Sequence, residues 1–243
     1  MCFVLVHSPL VGPGTWKPVA HELERRGRAA VIPSLVGVAH APTPQWRHCP
    51  KAVAAATEHV VDALVLVAHS GAGPLLPTIA AALSSDIAAL IFVDAFLPPT
   101  TGSVPLATPP FMAQLRALAK EDVLPPWSAW FGEQGLRELV PDARLRTALE
   151  QEMPRLPLAY FAASVPVPAG WDRWPCGYLL FAREPYGDSA AEARRRGWPV
   201  VELSGAHHLA LVTDPLTVTD ALLRIKRALV KPEPARPSAA AEP

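Results

Sequence analysis

The chain has 243 residues, half of them hydrophobic, and its 22 Lys and Arg residues balance 22 Asp and Glu residues. This length can bury one sizeable core in a single domain. The zero net charge gives no sign of a polyanionic partner, so no nucleic-acid binding is expected, and no apolar run reaches the roughly 18 residues of a membrane span.

Short apolar segments alternate with helical patterns along most of the chain. Strands are predicted at residues 2–6, 29–32, 64–68, 88–93, 178–181 and 200–203. Helices are predicted at residues 16–26, 51–59, 74–83, 189–196 and 215–229. Strands buried on both faces read as continuous apolar runs, and their alternation with helices favours right-handed crossovers. The pattern therefore predicts an α/β core with six mainly parallel strands flanked by helices.

The segment from residue 98 to residue 174 interrupts this alternation and carries many of the 29 prolines. It is too long for a structureless loop, so we predict an inserted cap with helices at 114–120 and 143–152. The core would then comprise residues 1–97 and 175–230. Residues 231–243 are polar and proline-rich, which predicts a disordered tail.

The cap is dense in aromatic residues, which predicts a rigid lining for an apolar small-molecule substrate. Most of them are expected to hold the cap together, with two or three contacting the ligand. They are Phe111, Trp127, Trp130, Phe131, Tyr160, Phe161, Trp171 and Trp174.

A candidate nucleophile follows the third predicted strand. Ser70 stands between this strand and an apolar helix, the context of the G-x-S-x-G motif. Ala68 and Ala72 replace the two glycines, so the steric requirement survives although the literal pattern does not. Gly71 would offer its N–H to a developing oxyanion. The structural alternative is a serine that merely caps the helix, and His69 is expected to be a packing residue.

A candidate base and acid come later in the chain. His207 and His208 follow the last strand, where a histidine could accept the proton of Ser70. Three carboxylates could orient that histidine. Glu184, after the fifth strand, is preferred; Asp94, after the fourth strand, is the alternative; and Asp188 fits a helix cap better.

At this point the sequence resembles the α/β-hydrolase superfamily. The resemblance rests on three segments and covers about residues 3–98 and 176–225. The opening strand followed by Gly14-Thr15-Trp16 resembles the superfamily in general, whereas 93–98 (VDAFLP) and 208–215 (HLALVTDP) resemble hydroxynitrile lyases and small-molecule methylesterases. In that branch the catalytic histidine stands seven residues before the proline, which implies His208 over His207. The resemblance also implies six parallel strands, no metal and no diffusible cofactor.

One departure from the superfamily concerns the oxyanion hole. Members usually have His-Gly-x after the first strand, and the N–H of x stabilises the oxyanion. Here the run is His7-Ser8-Pro9-Leu10, and Pro9 has no N–H. Either the Ser8 hydroxyl or the Leu10 N–H replaces it, or the enzyme does not stabilise an ordinary tetrahedral oxyanion. The lyase branch has a hydroxyl residue at the position of Ser8, which fits the last alternative.

The predicted function is a serine hydrolase that cleaves an ester, thioester or lactone of an apolar small molecule through an acyl-enzyme on Ser70. A lyase or cyclase using Ser70 and His208 for acid–base chemistry is one alternative, and a non-catalytic ligand-binding protein is another. Fold membership alone does not decide among them. The oligomeric state stays open.

The cysteines and the N-terminus bear on location. Cys2, Cys49 and Cys176 are odd in number and widely spaced, so neither a disulfide framework nor a zinc site is expected. Residues 1–6 read as a strand and not as a signal peptide. We therefore expect a cytoplasmic protein.

Overall fold

The main sheet has six strands, and each pair of neighbours runs parallel. The computed structural model describes residues 1–229. Its strands are β1 (Cys2–Val6), β2 (Ala30–Val31), β3 (Leu64–His69), β4 (Ile87–Val93), β5 (Ser103–Pro105), β6 (Ser164–Pro166), β7 (Cys176–Leu180) and β8 (Val200–Glu202). Six of them form one sheet in the order β2-β1-β3-β4-β7-β8, which confirms the predicted α/β architecture.

Helices cover both faces of this sheet. They are α1 (Lys17–Arg25), α2 (His48–Thr57), α3 (Leu76–Ala82), α4 (Pro109–Leu118), α5 (Gly132–Leu139), α6 (Ala143–Gln151), α7 (Leu158–Phe161), α8 (Arg183–Arg195), α9 (Ala210–Thr213) and α10 (Pro215–Leu229). Val4 of β1 faces one apolar cluster with residues of α2, α3 and α8, whereas Phe3 and Leu5 face the other with residues of α1 and α10. Burial on both faces explains why the central strands are uninterrupted apolar runs.

The segment 98–174 contributes no strand to the main sheet. It holds α4 to α7 and the antiparallel pair of β5 with β6. The helix predicted at 114–120 begins earlier, because the Thr108 side chain accepts a hydrogen bond from the Phe111 N–H at the start of α4. The helix predicted at 143–152 is α6, and Asp142 caps it. The β5–β6 pair, α5 and α7 were not predicted.

Glu152 connects this segment to the core. Its carboxylate accepts a hydrogen bond from the Gly14 N–H at 2.5 Å and from Lys17 Nζ at 2.9 Å. The contact is close, because a Cβ atom built on Gly12 would lie 2.2 Å from the Glu152 Cβ. The end of α6 is therefore held against the turn that precedes α1.

Three further observations bear on the predicted class and location. No helix within residues 1–229 combines the length and apolar character needed to cross a bilayer. The three cysteines are free and buried. Within the same residues, no three His, Cys, Asp or Glu side chains are grouped as a metal site would require. The predicted tail lies outside the described residues.

Candidate active site

Ser70 lies at a sharp turn directly after β3. Its φ of 55° is in the left-handed region, which is unfavourable for a residue with a Cβ and is often found at functional sites. Ala68 and Ala72 are fully buried on either side of the turn. Gly73 is equally constrained, because a Cβ there would lie 2.7 Å from the Ala95 Cβ. Small residues around the serine thus permit the turn, as the sequence predicted.

Ser70, His208 and Asp94 form a row of hydrogen bonds. His208 Nε2 lies 3.0 Å from Ser70 Oγ, and His208 Nδ1 lies 2.7 Å from Asp94 Oδ2. Because a carboxylate only accepts, the Nδ1 atom carries the proton and Nε2 faces the serine hydroxyl as an acceptor. This arrangement can remove the proton from the serine hydroxyl.

Asp94 is fully buried directly after β4, and both oxygens of its carboxylate are hydrogen-bonded. Oδ1 accepts hydrogen bonds from the Phe181 N–H at 2.8 Å and the Ala182 N–H at 3.1 Å, while Oδ2 faces His208. Its φ of 44° is also left-handed. The two backbone donors orient the carboxylate toward the imidazole.

The preference for Glu184 over Asp94 is corrected by this geometry. Glu184 is exposed where the chain enters α8, and the segment after β7 gives backbone N–H groups to Asp94 instead of a carboxylate to His208. Asp188 is also exposed, within α8, so it does not cap that helix.

The neighbouring histidines have supporting positions. His207 Nδ1 accepts a hydrogen bond from the Leu209 N–H, and its Nε2 lies 3.1 Å from Thr213 Oγ1, so it stabilises its own loop. His69 Nε2 donates to the His208 carbonyl at 3.0 Å, which leaves the buried Nδ1 as an acceptor with no protein partner among the described residues. Burial holds the pKa of His69 well below its ordinary value, so the ring is neutral.

The loop after β1 lies against the other side of Ser70. The Leu10 N–H donates to Ser8 Oγ at 3.3 Å, so this N–H is already engaged. The Ser8 hydroxyl also lies next to Gly71, because a Cβ built there would be 2.9 Å from Ser8 Oγ. Ser8 and Leu10 line the cavity at Ser70, whereas Pro9 is buried outside that lining.

His7 fixes the start of this loop. The Leu35 N–H donates to His7 Nε2 at 2.9 Å, so the ring proton is on Nδ1, which donates to the Ser8 carbonyl at 2.8 Å. Burial lowers the pKa of His7 to about 4, which keeps the ring neutral. The neutral tautomer is therefore part of what positions Ser8.

The cavity at Ser70 is small, about 20 Å³, which is room for one water. Ser8, Leu10, Val11, His69, Ser70, Trp127, His208 and Leu209 line it. Trp127 comes from the inserted segment, and its ring centroid lies 6.4 Å from that of His208. Trp127 therefore borders the cavity beside His208. A larger depression of about 410 Å³ lies along α6, and its lining residues include no histidine, cysteine or carboxylate.

The other predicted lining residues are divided between the core and the periphery. Tyr160, Phe161 and Trp171 are buried in the apolar cluster under the segment, and Phe111, Trp130 and Trp174 pack against it. Phe131 contacts Trp127 and is exposed. Of the eight aromatic residues, Trp127 alone appears in the cavity lining described here.

Tyr186 is a site residue that the sequence did not reveal. Its ring stacks on His208 with centroids 5.3 Å apart and planes 15° from parallel. Burial raises the pKa of Tyr186 to about 12, so its phenol is neutral. The only sequence signal was its position two residues after Glu184.

Comparison with known proteins agrees with this geometry. The model of an alpha/beta hydrolase family matches residues 3–221. The chain belongs to this family. No curated protein matches it.

Solved structures share the fold at low sequence identity. An extracellular α/β-hydrolase from a Paenibacillus species, described as a homologue of tobacco salicylic acid binding protein 2, is 20% identical with a TM-score of 0.72, covering 93% of this chain and 99% of its own. A methylesterase from Arabidopsis is 15% identical with a TM-score of 0.67, covering 92% and 98%. Polyneuridine aldehyde esterase is 17% identical with a TM-score of 0.69, also covering 92% and 98%. These likenesses show that the chain shares the fold of these proteins.

The neutral state of His7 predicts a loss of stability in mild acid. In the unfolded chain His7 becomes protonated below its ordinary pKa of 6.5. In the folded protein it stays neutral until the pH falls to about 4. The contribution of His7 to the free energy of unfolding is therefore present above pH 6.5. It should be smaller by about 2 kcal/mol at pH 5. Urea unfolding at several pH values measures this loss.

His7→Gln is the comparison variant, because an amide can accept from Leu35 and donate to Ser8 without titrating. Its unfolding free energy should change less between pH 7.5 and pH 5 than that of the wild type. Superimposable pH profiles would contradict the assignment of the loss to His7.

Proposed function

We propose that the protein is a serine hydrolase that cleaves an ester bond of an apolar small molecule through an acyl-enzyme on Ser70. The observation that carries this proposal is the hydrogen-bonded row of Ser70, His208 and Asp94 at the ends of β3 and β4. The left-handed backbone at both Ser70 and Asp94 supports it, since such strain persists where function requires it.

In the proposed reaction His208 Nε2 takes the Ser70 proton as Ser70 Oγ attacks the acyl carbon. His208 then gives that proton to the leaving oxygen, and an acyl-enzyme remains. Water, deprotonated by the same Nε2, releases the acid and restores the serine. Asp94 keeps the proton on Nδ1 and stabilises the positive charge that forms on the ring.

We further propose that the Ser8 hydroxyl and the Gly71 N–H together stabilise the oxyanion. Pro9 lacks the usual donor, and the Leu10 N–H is engaged by Ser8 Oγ. The Ser8 hydroxyl can still donate its own proton. Because its oxygen accepts a hydrogen bond from Leu10, the hydroxyl is also a stronger donor. The adjacency of Ser8 to Gly71 and the cavity supports this pairing.

The cavity lining supports a small apolar substrate, and the free cysteines are consistent with a cytoplasmic location. Leu10, Val11, Leu209 and Trp127 give the cavity its apolar lining. Solved structures with this fold include esterases and a pyrethroid hydrolase from Sphingobium faniae, which is consistent with ester cleavage. Free buried cysteines are compatible with the cytoplasmic location we propose.

A fluorophosphonate probe tests the nucleophile directly. The wild type should be labelled covalently at Ser70 and should hydrolyse a simple acetate ester, whereas Ser70→Ala should do neither while keeping its far-UV circular dichroism. An unlabelled Ser70 in a folded wild-type protein that still converts substrate would contradict an acyl-enzyme and favour the lyase or cyclase alternative.

The acid is tested by paired amide variants. In Asp94→Asn the amide oxygen can still accept from Phe181 and Ala182, which turns its NH₂ group toward the N–H of His208. The imidazole is then forced into the wrong tautomer, and kcat should fall at least about 10²-fold with little change in KM. Exposed Glu184→Gln is the matched control and should change kcat less than about twofold. The opposite ranking would restore Glu184 as the acid.

The oxyanion assignment is tested at Ser8. Ser8→Ala removes the hydroxyl and should lower kcat by about 10²–10³, with KM little changed, because the donor acts on the transition state. Ser8→Thr, which keeps a hydroxyl, should retain more activity than Ser8→Ala. A loss below about threefold in Ser8→Ala would instead assign the role to the Leu10 N–H that the variant sets free.

A further inference from the structure

Two exposed aromatic rings lie one contact away from the His208 ring. Within residues 1–229 the exposed large hydrophobic side chains are Met1, Val61, Phe96, Phe131 and Leu216. The two aromatic ones, Phe96 at 48% exposure and Phe131 at 59%, come from distant parts of the chain. A ring that stays exposed does not gain the free energy of burying its apolar surface. Two exposed rings near one site therefore indicate that the rings bind something there.

Each exposed ring contacts a second aromatic ring that contacts His208. Phe96 lies 5.1 Å from Tyr186, centroid to centroid, and Tyr186 stacks on His208. Phe131 packs edge-on against Trp127 at 5.6 Å, and Trp127 lies beside His208. We call Phe96, Tyr186, Trp127 and Phe131 the aromatic collar.

The position of the collar identifies the part of the substrate that it meets. In the proposed hydrolysis, His208 Nε2 delivers its proton to the oxygen of the departing alcohol, so that oxygen lies next to the His208 ring. The group attached to it must therefore extend along the rings that surround His208. The acyl carbon, in contrast, lies at Ser70 Oγ, in a cavity whose other lining residues include Leu10, Val11 and Leu209.

We propose that the collar recognises an aromatic alcohol portion, so that the preferred substrates are esters of aryl-bearing alcohols with a small acyl group. Offset and edge-to-face ring contacts favour an aromatic partner beyond the area that they bury. The small cavity at Ser70 supports a small acyl group. This inference rests on the proposed hydrolase function and adds the substrate class to it.

The test compares two acetates with similarly poor alkoxide leaving groups, 2-naphthylmethyl acetate and n-butyl acetate. Their acyl groups are identical, so a difference in kcat/KM reports recognition of the alcohol portion. The wild type should prefer the naphthylmethyl ester by at least about tenfold. Each of Phe96→Ala and Phe131→Ala should lower this preference about threefold, and the double variant about tenfold, as expected for one ring contact each.

Leu216→Ala is the matched control, because Leu216 is comparably exposed at 53% but lies on α10 outside the collar. It should leave both the preference and the rates unchanged. Hydrolysis of both acetates without a preference, or a preference that survives the double variant, would overturn the collar while leaving the hydrolase proposal intact. Failure of the wild type to label with fluorophosphonate and to hydrolyse either acetate would overturn both.

Discussion

The buried carboxylate of Asp94 is the interaction on which the geometry of the site depends. It joins the end of β4 to the segment after β7 through the Phe181 and Ala182 N–H groups, and to the histidine loop through His208 Nδ1. A buried carboxylate is costly unless each oxygen is hydrogen-bonded, so these three donors must stay in place together. Through His208 the constraint extends to Ser70.

The loop after β1 depends on a second buried group. His7 links Leu35 to the Ser8 carbonyl only as the neutral Nδ1–H tautomer, which the low pKa from burial maintains. Pro9 stiffens this loop but has no N–H to donate, and the Ser8 hydroxyl lies next to Gly71. The serine and its surroundings are thus positioned by two neutral buried histidines, His7 and His69, which do not titrate near neutral pH.

The inserted segment contributes aromatic rings to the surroundings of the site. Glu152 fixes the end of α6 to the turn before α1, while Trp127 of the same segment lines the cavity. Ser70 and Asp94 directly follow core strands and His208 lies on the loop after β8, while the segment together with Phe96 and Tyr186 supplies the aromatic surroundings of His208. The aromatic neighbours of His208 thus come from both the core and the inserted segment.

The sequence by itself determined the six strands, because strands buried on both faces must be continuous apolar runs. It also identified Ser70, since the small neighbours of a sharp strand-to-helix turn are local in sequence. The resemblance selected His208, which the structure places at hydrogen-bonding distance from Ser70. The β5–β6 pair and two short helices of the inserted segment were missed, because strands of three residues carry too little periodicity to be recognised.

Only the tertiary structure decided between Asp94 and Glu184. Both follow strands that end at the same edge of the sheet, so composition and order along the chain are compatible with either. The difference lies in the direction in which the chain leaves each strand: at Asp94 it turns in the left-handed region and buries the carboxylate, and after β7 it exposes Glu184 and turns its N–H groups inward. The collar was likewise invisible in the sequence, because its four rings are brought together by packing between segments far apart in the chain.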